Sequence, residues 1–203
     1  MMKHFFTILF MLALLSGCTQ RSGTSEVMGT GADSSAYPQE ILNFTPLEKN
    51  PVFTGTGTNT WDQKIRERGY IIKEDGLYHM WYTGFREVPD AEMHLGYASS
   101  LDGMVWTRFA GNPIFDDSWV EDMMVVKSDS LYYMFAEGKD DIAHLMTSSD
   151  RIHWTEHGPL DIRYVNGTPL SKGAYGTPTA WLEDGTWYLF YERGDLGIWL
   201  ATS

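Results

Sequence analysis

The stretch that decides the fold is WVEDMMVVKSDSLYYMFAEG, which runs from Trp119 to Gly138. An apolar run at Met123–Val126 is followed by a polar break at Lys127–Ser130 and then by an aromatic run at Leu131–Phe135. Two short apolar or aromatic runs around a polar break are typical of two antiparallel β-strands joined by a tight turn. The sequence therefore predicts a β-hairpin over this stretch.

Three carboxylates lie at the open end of this predicted hairpin. Glu121 and Asp122 begin the first strand, and Glu137 stands at the end of the second strand. Antiparallel pairing brings these two ends side by side. Like charges held close together repel one another and raise the pKa of a carboxyl group. The hairpin is thus predicted to carry a cluster of carboxylates that handles protons.

The hairpin pattern occurs three times without gaps, as ERGYIIKEDGLYHMWYTG from Glu67, EDMMVVKSDSLYYMFAEG from Glu121 and GTPTAWLEDGTWYLFYER from Gly176. Large rings share two aligned columns: Tyr78, Tyr132 and Trp187 in one, and Trp81, Phe135 and Phe190 in the other. Two further short strands follow each of the first two copies. A fixed-period repeat of four-stranded units predicts an all-β fold of the β-propeller type. A β-sandwich with coincidental internal similarity is the alternative.

Each of the first two units also contains a short serine–aspartate motif, at Ser100–Trp106 and Ser148–Trp154. With this motif in place, the units resemble five-bladed β-propeller glycosidases, namely glycoside hydrolase family 43 (arabinofuranosidases and xylosidases) and family 130 (mannoside phosphorylases and mannosidases). The resemblance covers residues 46–203 and implies about three blades, the third incomplete. On this basis we expect a truncated, N-terminal fragment of a five-bladed propeller that is itself inactive.

The resemblance also implies roles for individual carboxylates. Val120-Glu121-Asp122 resembles the V-E-D-P-R motif of family 130, in which the aspartate is the general acid, although Met123-Met124 replaces the proline and arginine. Both families invert configuration, which requires two carboxyl groups roughly 6.5–9.5 Å apart. We therefore predict Asp122 as the acid, and as the base Asp62 first and Glu67 second.

Charge varies between repeats at the strand ends, whereas the aromatic columns stay alike. This contrast predicts functional positions, although solvated residues at the mouth of a channel are also free to vary. Residues expected to bind substrate or to tune the pKa of the acid are Arg66, Arg68, Glu121, Glu137, Thr177, Glu192 and Arg193. The two first-named arginines could instead neutralise Glu121 and Glu137. His144 lies on the third strand of the second unit and could approach the channel, but no metal or other cofactor is predicted.

The start of the chain, MMKHFFTILFMLALLSGC, has a basic residue followed by an apolar run too short for a comfortable membrane span. It resembles a bacterial lipoprotein signal (residues 1–18), in which Cys18 is lipidated. An ordinary secretory signal with a chance cysteine is the alternative. Residues 19–45 are rich in Ser, Thr and Gly and are predicted to be a flexible linker. The expected location is extracytoplasmic, with a lipid anchor to a bacterial membrane.

The amino-acid composition limits the classes of binding partner that are expected. The net charge of −12 argues against nucleic acid, because phosphate binding needs clustered Lys and Arg. The chain has 8 Trp and 11 Tyr, which favours carbohydrate, although most of these rings are expected in the core. We predict a glycosidase acting on arabinofuranosides, xylosides or mannosides from plant or microbial polysaccharides. The alternatives are a non-catalytic carbohydrate-binding propeller and an inactive fragment; no protein partner is predicted.

Overall fold

A computed structural model describes residues 44–139, 141–171 and 175–203, with the side chains of Glu67 and Arg68 excluded. The predicted signal peptide, Cys18 and nearly all of the predicted linker lie outside these residues. Leu47–Ser203 form one compact unit. Its regular elements are β-strands, and no helix in the described part of the chain could cross a membrane.

Eleven strands form three antiparallel sheets within the described residues. The first sheet has the order β1 (Lys64–Glu74), β2 (Leu77–Phe85), β3 (His94–Ser100) and β4 (Thr107–Arg108). The second has the order β5 (Glu121–Ser128), β6 (Leu131–Gly138), β7 (Ile142–Ser148) and β8 (Thr155–Pro159). The third pairs β10 (Thr186–Glu192) with β9 (Thr179–Glu183) on one side and β11 (Ile198–Thr202) on the other.

The hairpin predicted from the opening stretch is confirmed. Strands β5 and β6 meet at a turn in which Asp129 has a φ of 53°, and Ser128 pairs with Leu131. The apolar residues Met123 and Val125 alternate towards the core, as a half-buried strand requires.

The aromatic columns are explained by the packing of one sheet on the next. Trp81 of the first sheet lies 6.3 Å from Tyr132 of the second, measured between ring centroids. One unit later, Phe135 of the second sheet lies 5.5 Å from Trp187 of the third. In both cases a ring of one column meets a ring of the other column in the following sheet. The first strands also adjoin, β1 beside β5 and β5 beside β9, as in the blades of a propeller.

The serine–aspartate motif forms the turn after β3 and again the turn after β7. In the first turn, Ser100 Oγ accepts a hydrogen bond from the backbone N–H of Gly103 at 2.9 Å, and Asp102 Oδ1 accepts two more from the residues that follow. Ser148 and Asp150 repeat these bonds in the second sheet. The motif thus satisfies backbone groups in a tight turn, which is a structural role.

Glu74 joins the first two sheets at the end of β1. Its carboxylate forms ion pairs with Lys127 and Arg151 and accepts a hydrogen bond from the hydroxyl of Tyr132. The hydrogen bond from Lys127, followed by that from Tyr132, lowers the pKa of Glu74 from 4.5 to about 2. This end of the sheets is therefore held by ionised, paired groups.

Candidate active site

The candidate site begins with irregular backbone at the start of each first strand. The pairing of β5 with β6 shifts register between Glu121 and Met124, and Asp122 within the shift has a φ of 45°. Thr177, in the same aligned column one unit later, has a φ of 49°. A left-handed conformation costs a non-glycine residue roughly 1–2 kcal/mol. A bulge re-aims side chains at the end of a strand. The side chains of this column therefore depart from the regular alternation of a strand.

Glu121 and Glu137 face each other directly across the hairpin, as the sequence predicts. Both are buried, with 8% and 7% of their surfaces exposed. Two carboxylates in register on neighbouring strands repel each other unless one is neutralised or both are compensated. The structure compensates them in different ways.

Glu121 is paired with a cation from the preceding sheet. Arg66 Nε lies 3.0 Å from Glu121 Oε2, so the guanidinium balances this carboxylate. Of the two roles that the sequence leaves open for Arg66, neutralising Glu121 is the one seen here.

Glu137 is held by the segment that leads into β9 of the third sheet. The backbone N–H and the hydroxyl of Thr177 both donate to Glu137 Oε2, at 2.7 and 3.0 Å. A Cβ built on Gly176 would lie within 3.0 Å of three atoms of the Glu137 side chain. The glycine therefore makes room for the carboxylate beside the backbone of the next sheet.

The pKa of Glu137 is raised above its ordinary value, mainly because burial disfavours the charged form. A hydrogen bond with Asp141 and the negative charge of Asp122 raise it further, whereas the two bonds from Thr177 oppose the shift. The predicted increase in proton affinity is thus found, but its largest cause is loss of solvent rather than repulsion. Glu137 is the member of the cluster best suited to keep a proton.

Asp62, the first choice of base from the sequence, lies elsewhere. Its carboxylate is 1% exposed, forms a 3.0 Å ion pair with Arg108, and accepts hydrogen bonds from the hydroxyls of Tyr82 and Thr56. Tyr82 faces away from the second sheet, since Thr83 next to it donates to the carbonyl of Val120 there. No described contact joins Asp62 to the Glu121–Glu137 pair. Its contacts are those of an anchor for the first sheet, and its role as the base stays a prediction.

The other predicted residues are distributed as follows. Glu67 and Arg68 belong to β1 where its register shifts, but their side chains lie outside the described residues. Glu192 accepts a hydrogen bond from the backbone N–H of Asp195, and Arg193 donates to the carbonyl and hydroxyl of Ser171. Glu192 thus contacts the turn after β10, Arg193 contacts the loop before β9, and no described contact brings them to the cluster.

His144 is held within the second sheet. Its Nδ1 lies 2.6 Å from Glu156 Oε1, and the hydroxyl of Ser118 donates to the other oxygen of Glu156. Among the described residues, no three His, Cys, Asp or Glu side chains are arranged to hold a metal ion.

Two residues of the cluster were not predicted from the sequence as functional residues. Asp141 lies in the loop after β6, where nothing in the repeat marks it. Gly176 does carry a signal, because it replaces the glutamate found at the same column in the other two units. A glycine in a column of glutamates indicates that a neighbouring group needs the space.

Comparison with known proteins shows similarity to carbohydrate-active enzymes. A 1,2-beta-oligomannan phosphorylase of Thermoanaerobacter sp. (strain X514) is 28% identical over 162 residues, which cover 79% of this chain and 52% of the relative. No family model matches the chain. The resemblance to propeller glycosidases and related phosphorylases expected from the sequence is therefore confirmed.

Solved structures agree on the fold. A glycosyl hydrolase from Bacteroides ovatus superposes with a TM-score of 0.63 at 20% identity, over 78% of this chain and 55% of that structure. A candidate glycosidase from Bacteroides thetaiotaomicron VPI-5482 gives a TM-score of 0.66 at 21% identity, over 83% and 60%. The all-β, propeller-type fold is confirmed. The chain spans about half to three-fifths of the length of these proteins.

Proposed function

We propose that this chain forms the acid-bearing part of an enzyme that cleaves glycosidic bonds by inversion. The observation that carries the proposal is the geometry of Glu137, a buried carboxyl with a raised pKa, opposite Glu121 and near Asp122. Cleavage of a glycoside needs a carboxylic acid that still holds its proton when the leaving oxygen must accept it. The cluster offers such an acid.

Within this proposal Asp122 donates the proton to the leaving oxygen. Its position in the bulge of β5 sets it apart from the regular register of the hairpin. Glu137, whose own pKa is raised mainly by burial, stores the proton beside Asp122 in this proposal, and it shares a hydrogen bond with Asp141. Arg66 pairs with Glu121 at 3.0 Å, which fixes the start of the strand. Among the predicted bases, Glu67 is favoured, because Asp62 is already bound by Arg108.

The substrate class we propose is an arabinofuranoside, xyloside or mannoside. The mannoside has additional support in the name of the Thermoanaerobacter relative, which acts on 1,2-beta-oligomannan. Water is the proposed acceptor, since Met123-Met124 stands where the family 130 motif has proline and arginine. The proposed location is outside the cytoplasm, on a lipid anchor at Cys18.

The test is hydrolysis of 4-nitrophenyl α-L-arabinofuranoside, β-D-xyloside and β-D-mannoside, with and without added phosphate. The assay uses the 203-residue chain and also the longer protein, if the reading frame continues past Ser203. We expect the longer protein to hydrolyse at least one substrate and the 203-residue chain to hydrolyse none. In the longer protein, and for a substrate whose leaving group is a sugar rather than 4-nitrophenolate, Asp122→Asn should lower kcat by about 10²–10⁴, the usual contribution of a general acid.

Asp129→Asn is the matched control, because this exposed aspartate lies at the turn of the same hairpin and also has a positive φ. Asparagine tolerates that conformation at both positions. Equal activity of Asp122→Asn and the control would overturn the assignment of the acid.

One observation favours a second function, sugar binding without chemistry. The ion pair of Asp62 with Arg108 engages the first predicted base, so a groove could remain without a working pair of carboxylates. Glycan binding without turnover, by both the longer protein and its Asp122→Asn variant, would establish this alternative.

A further inference from the structure

A separate cavity lies on the first sheet, at the end where β2 passes to β3. Its volume is about 240 Å³, and it is lined by Trp61, Arg86, Val88, Ala91, Glu92 and His94. His94 pairs with Gly84, one residue beyond Thr83. Thr83 donates to the carbonyl of Val120, the residue just before β5, so successive side chains place this cavity on the opposite face of the first sheet. The cavity is therefore distinct from the Glu121–Glu137 cluster.

The indole that lines the cavity is held firmly. Trp61 stacks on Tyr82 with ring centroids 5.7 Å apart and planes at 28°. A Cβ built on Gly84 or Gly96 would lie within 3.0 Å of the Trp61 ring, so the two glycines leave room for it against the sheet. An aromatic ring fixed in this way loses little entropy when a ligand packs against it.

The polar groups of the cavity, unlike most charges nearby, are not used by the fold. His94 Nδ1 is buried and has no hydrogen-bond partner among the described residues. Within the same part of the chain, neither Arg86 nor Glu92 forms an ion pair. A buried polar atom without a partner is costly and is expected to be satisfied by a ligand or by water.

The chemistry of the lining selects the ligand. Arg86 only donates hydrogen bonds, Glu92 only accepts them when ionised, and a neutral imidazole at His94 does one of each. A cation would be repelled by the arginine and an anion by the glutamate. Hydroxyl groups on neighbouring ring carbons both donate and accept, and the C–H face of a sugar ring packs on an aromatic ring. The volume is below the roughly 300–1,000 Å³ of a drug-sized site, which suits a single ring.

We propose that this cavity is a second sugar-binding site that takes one neutral monosaccharide unit, with Trp61 as the stacking surface and Arg86, Glu92 and His94 as the polar contacts. The site is independent of the proposed glycosidase chemistry and stands or falls by binding alone.

The experiment is an NMR titration of the 203-residue chain with methyl α-D-mannopyranoside, methyl β-D-xylopyranoside and methyl α-L-arabinofuranoside. The indole N–H signal of Trp61 is assigned by its loss in Trp61→Phe. We expect at least one glycoside to shift this signal saturably, with a Kd in the millimolar range that is typical of one small ring. Glu92→Gln and His94→Ala should each weaken binding at least tenfold.

Glu87→Gln is the matched control, since Glu87 is exposed, neighbours Arg86 in sequence and pairs instead with Lys64 at 3.6 Å. Its Kd should equal that of the unmodified chain. The proposal is overturned if none of the three glycosides shifts the Trp61 signal. It is also overturned if Glu92→Gln, which changes an exposed side chain and preserves the fold, binds as tightly as the control. Neither result depends on whether the protein hydrolyses anything.

Discussion

The carboxylate of Glu137 fills the space that any side chain at Gly176 would need. Oxygen Oε2 of Glu137 lies against the backbone just before the third sheet, where Thr177 gives it two hydrogen bonds. The acidic end of the second sheet is thus completed by the sheet that follows. The positions equivalent to Gly176 in the other two units hold glutamate. The glycine therefore occurs where the carboxylate of Glu137 needs the space.

Gly176→Ala should destabilise the fold by about 1–3 kcal/mol, the usual cost of overpacking, because the methyl group displaces Glu137. Urea unfolding measures this loss. The same substitution in a Glu137→Ala background should cost much less, since the conflicting side chain is gone. Equal costs in the two backgrounds would show that Glu137 and Gly176 are not coupled.

Thr177→Val should raise the pKa of Glu137 further, because it removes one of the bonds that favour the ionised carboxylate. Valine keeps the branched shape of threonine and the backbone N–H remains a donor. We expect a loss of about 1 kcal/mol in unfolding free energy at pH 7, and a smaller loss at pH 4. Thr179→Val, an exposed position two residues along, is the control and should change neither quantity.

Glu137→Gln tests the linkage between burial and pH. The pKa of Glu137 is raised in the folded chain, so its contribution to stability is fully present below the ordinary value of 4.5 and is lost as the pH rises through the raised value. A proton affinity that is tenfold higher in the folded chain than in the unfolded chain corresponds to about 1.4 kcal/mol of stability. Between pH 4.5 and 8 the unmodified chain should therefore lose stability relative to Glu137→Gln, as followed by urea unfolding. A constant difference across this range would contradict the raised pKa.

Glu74→Gln should behave in the opposite sense. The pKa of Glu74 is lowered to about 2, so its stabilisation is present above 4.5 and is lost as the pH falls towards 2. The substitution should cost about 1.5–3 kcal/mol at pH 7, because it weakens hydrogen bonds between charged groups, and close to nothing at pH 2. Asp75→Asn changes an exposed neighbour and is the control in thermal unfolding. A cost for Glu74→Gln that does not depend on pH would argue against the ion pairs.

Features set by local patterns could be predicted from the sequence. The hairpin from Glu121 to Gly138 follows from alternating residues and a polar break, and its register follows from the position of the turn. The aromatic columns repeat because Trp81 and Phe135 each meet the following sheet in the same way. Packing of this kind constrains residue type at every repeat, so it is visible in one chain.

Pairings between distant residues could not be predicted. Asp62 and Arg108 are 46 residues apart, and no repeat links them. The sequence therefore did not indicate that the predicted base forms an ion pair. Asp141 lies in a loop without a fixed pattern, yet it hydrogen-bonds Glu137. The sequence also indicated repulsion as the cause of the raised pKa, whereas burial, which depends on the third sheet, is the larger effect.

The most direct measurement is the ionisation of the Glu137 side chain itself, followed by carbon-13 NMR of the carboxyl groups between pH 3 and 9. Glu137→Gln assigns the signal by its disappearance. A carboxyl buried in a proton-handling cluster should titrate above the ordinary value of 4.5 and should affect the titration of its neighbours. Titration of Glu137 at or below 4.5 would contradict the claim that this cluster stores a proton for glycoside cleavage.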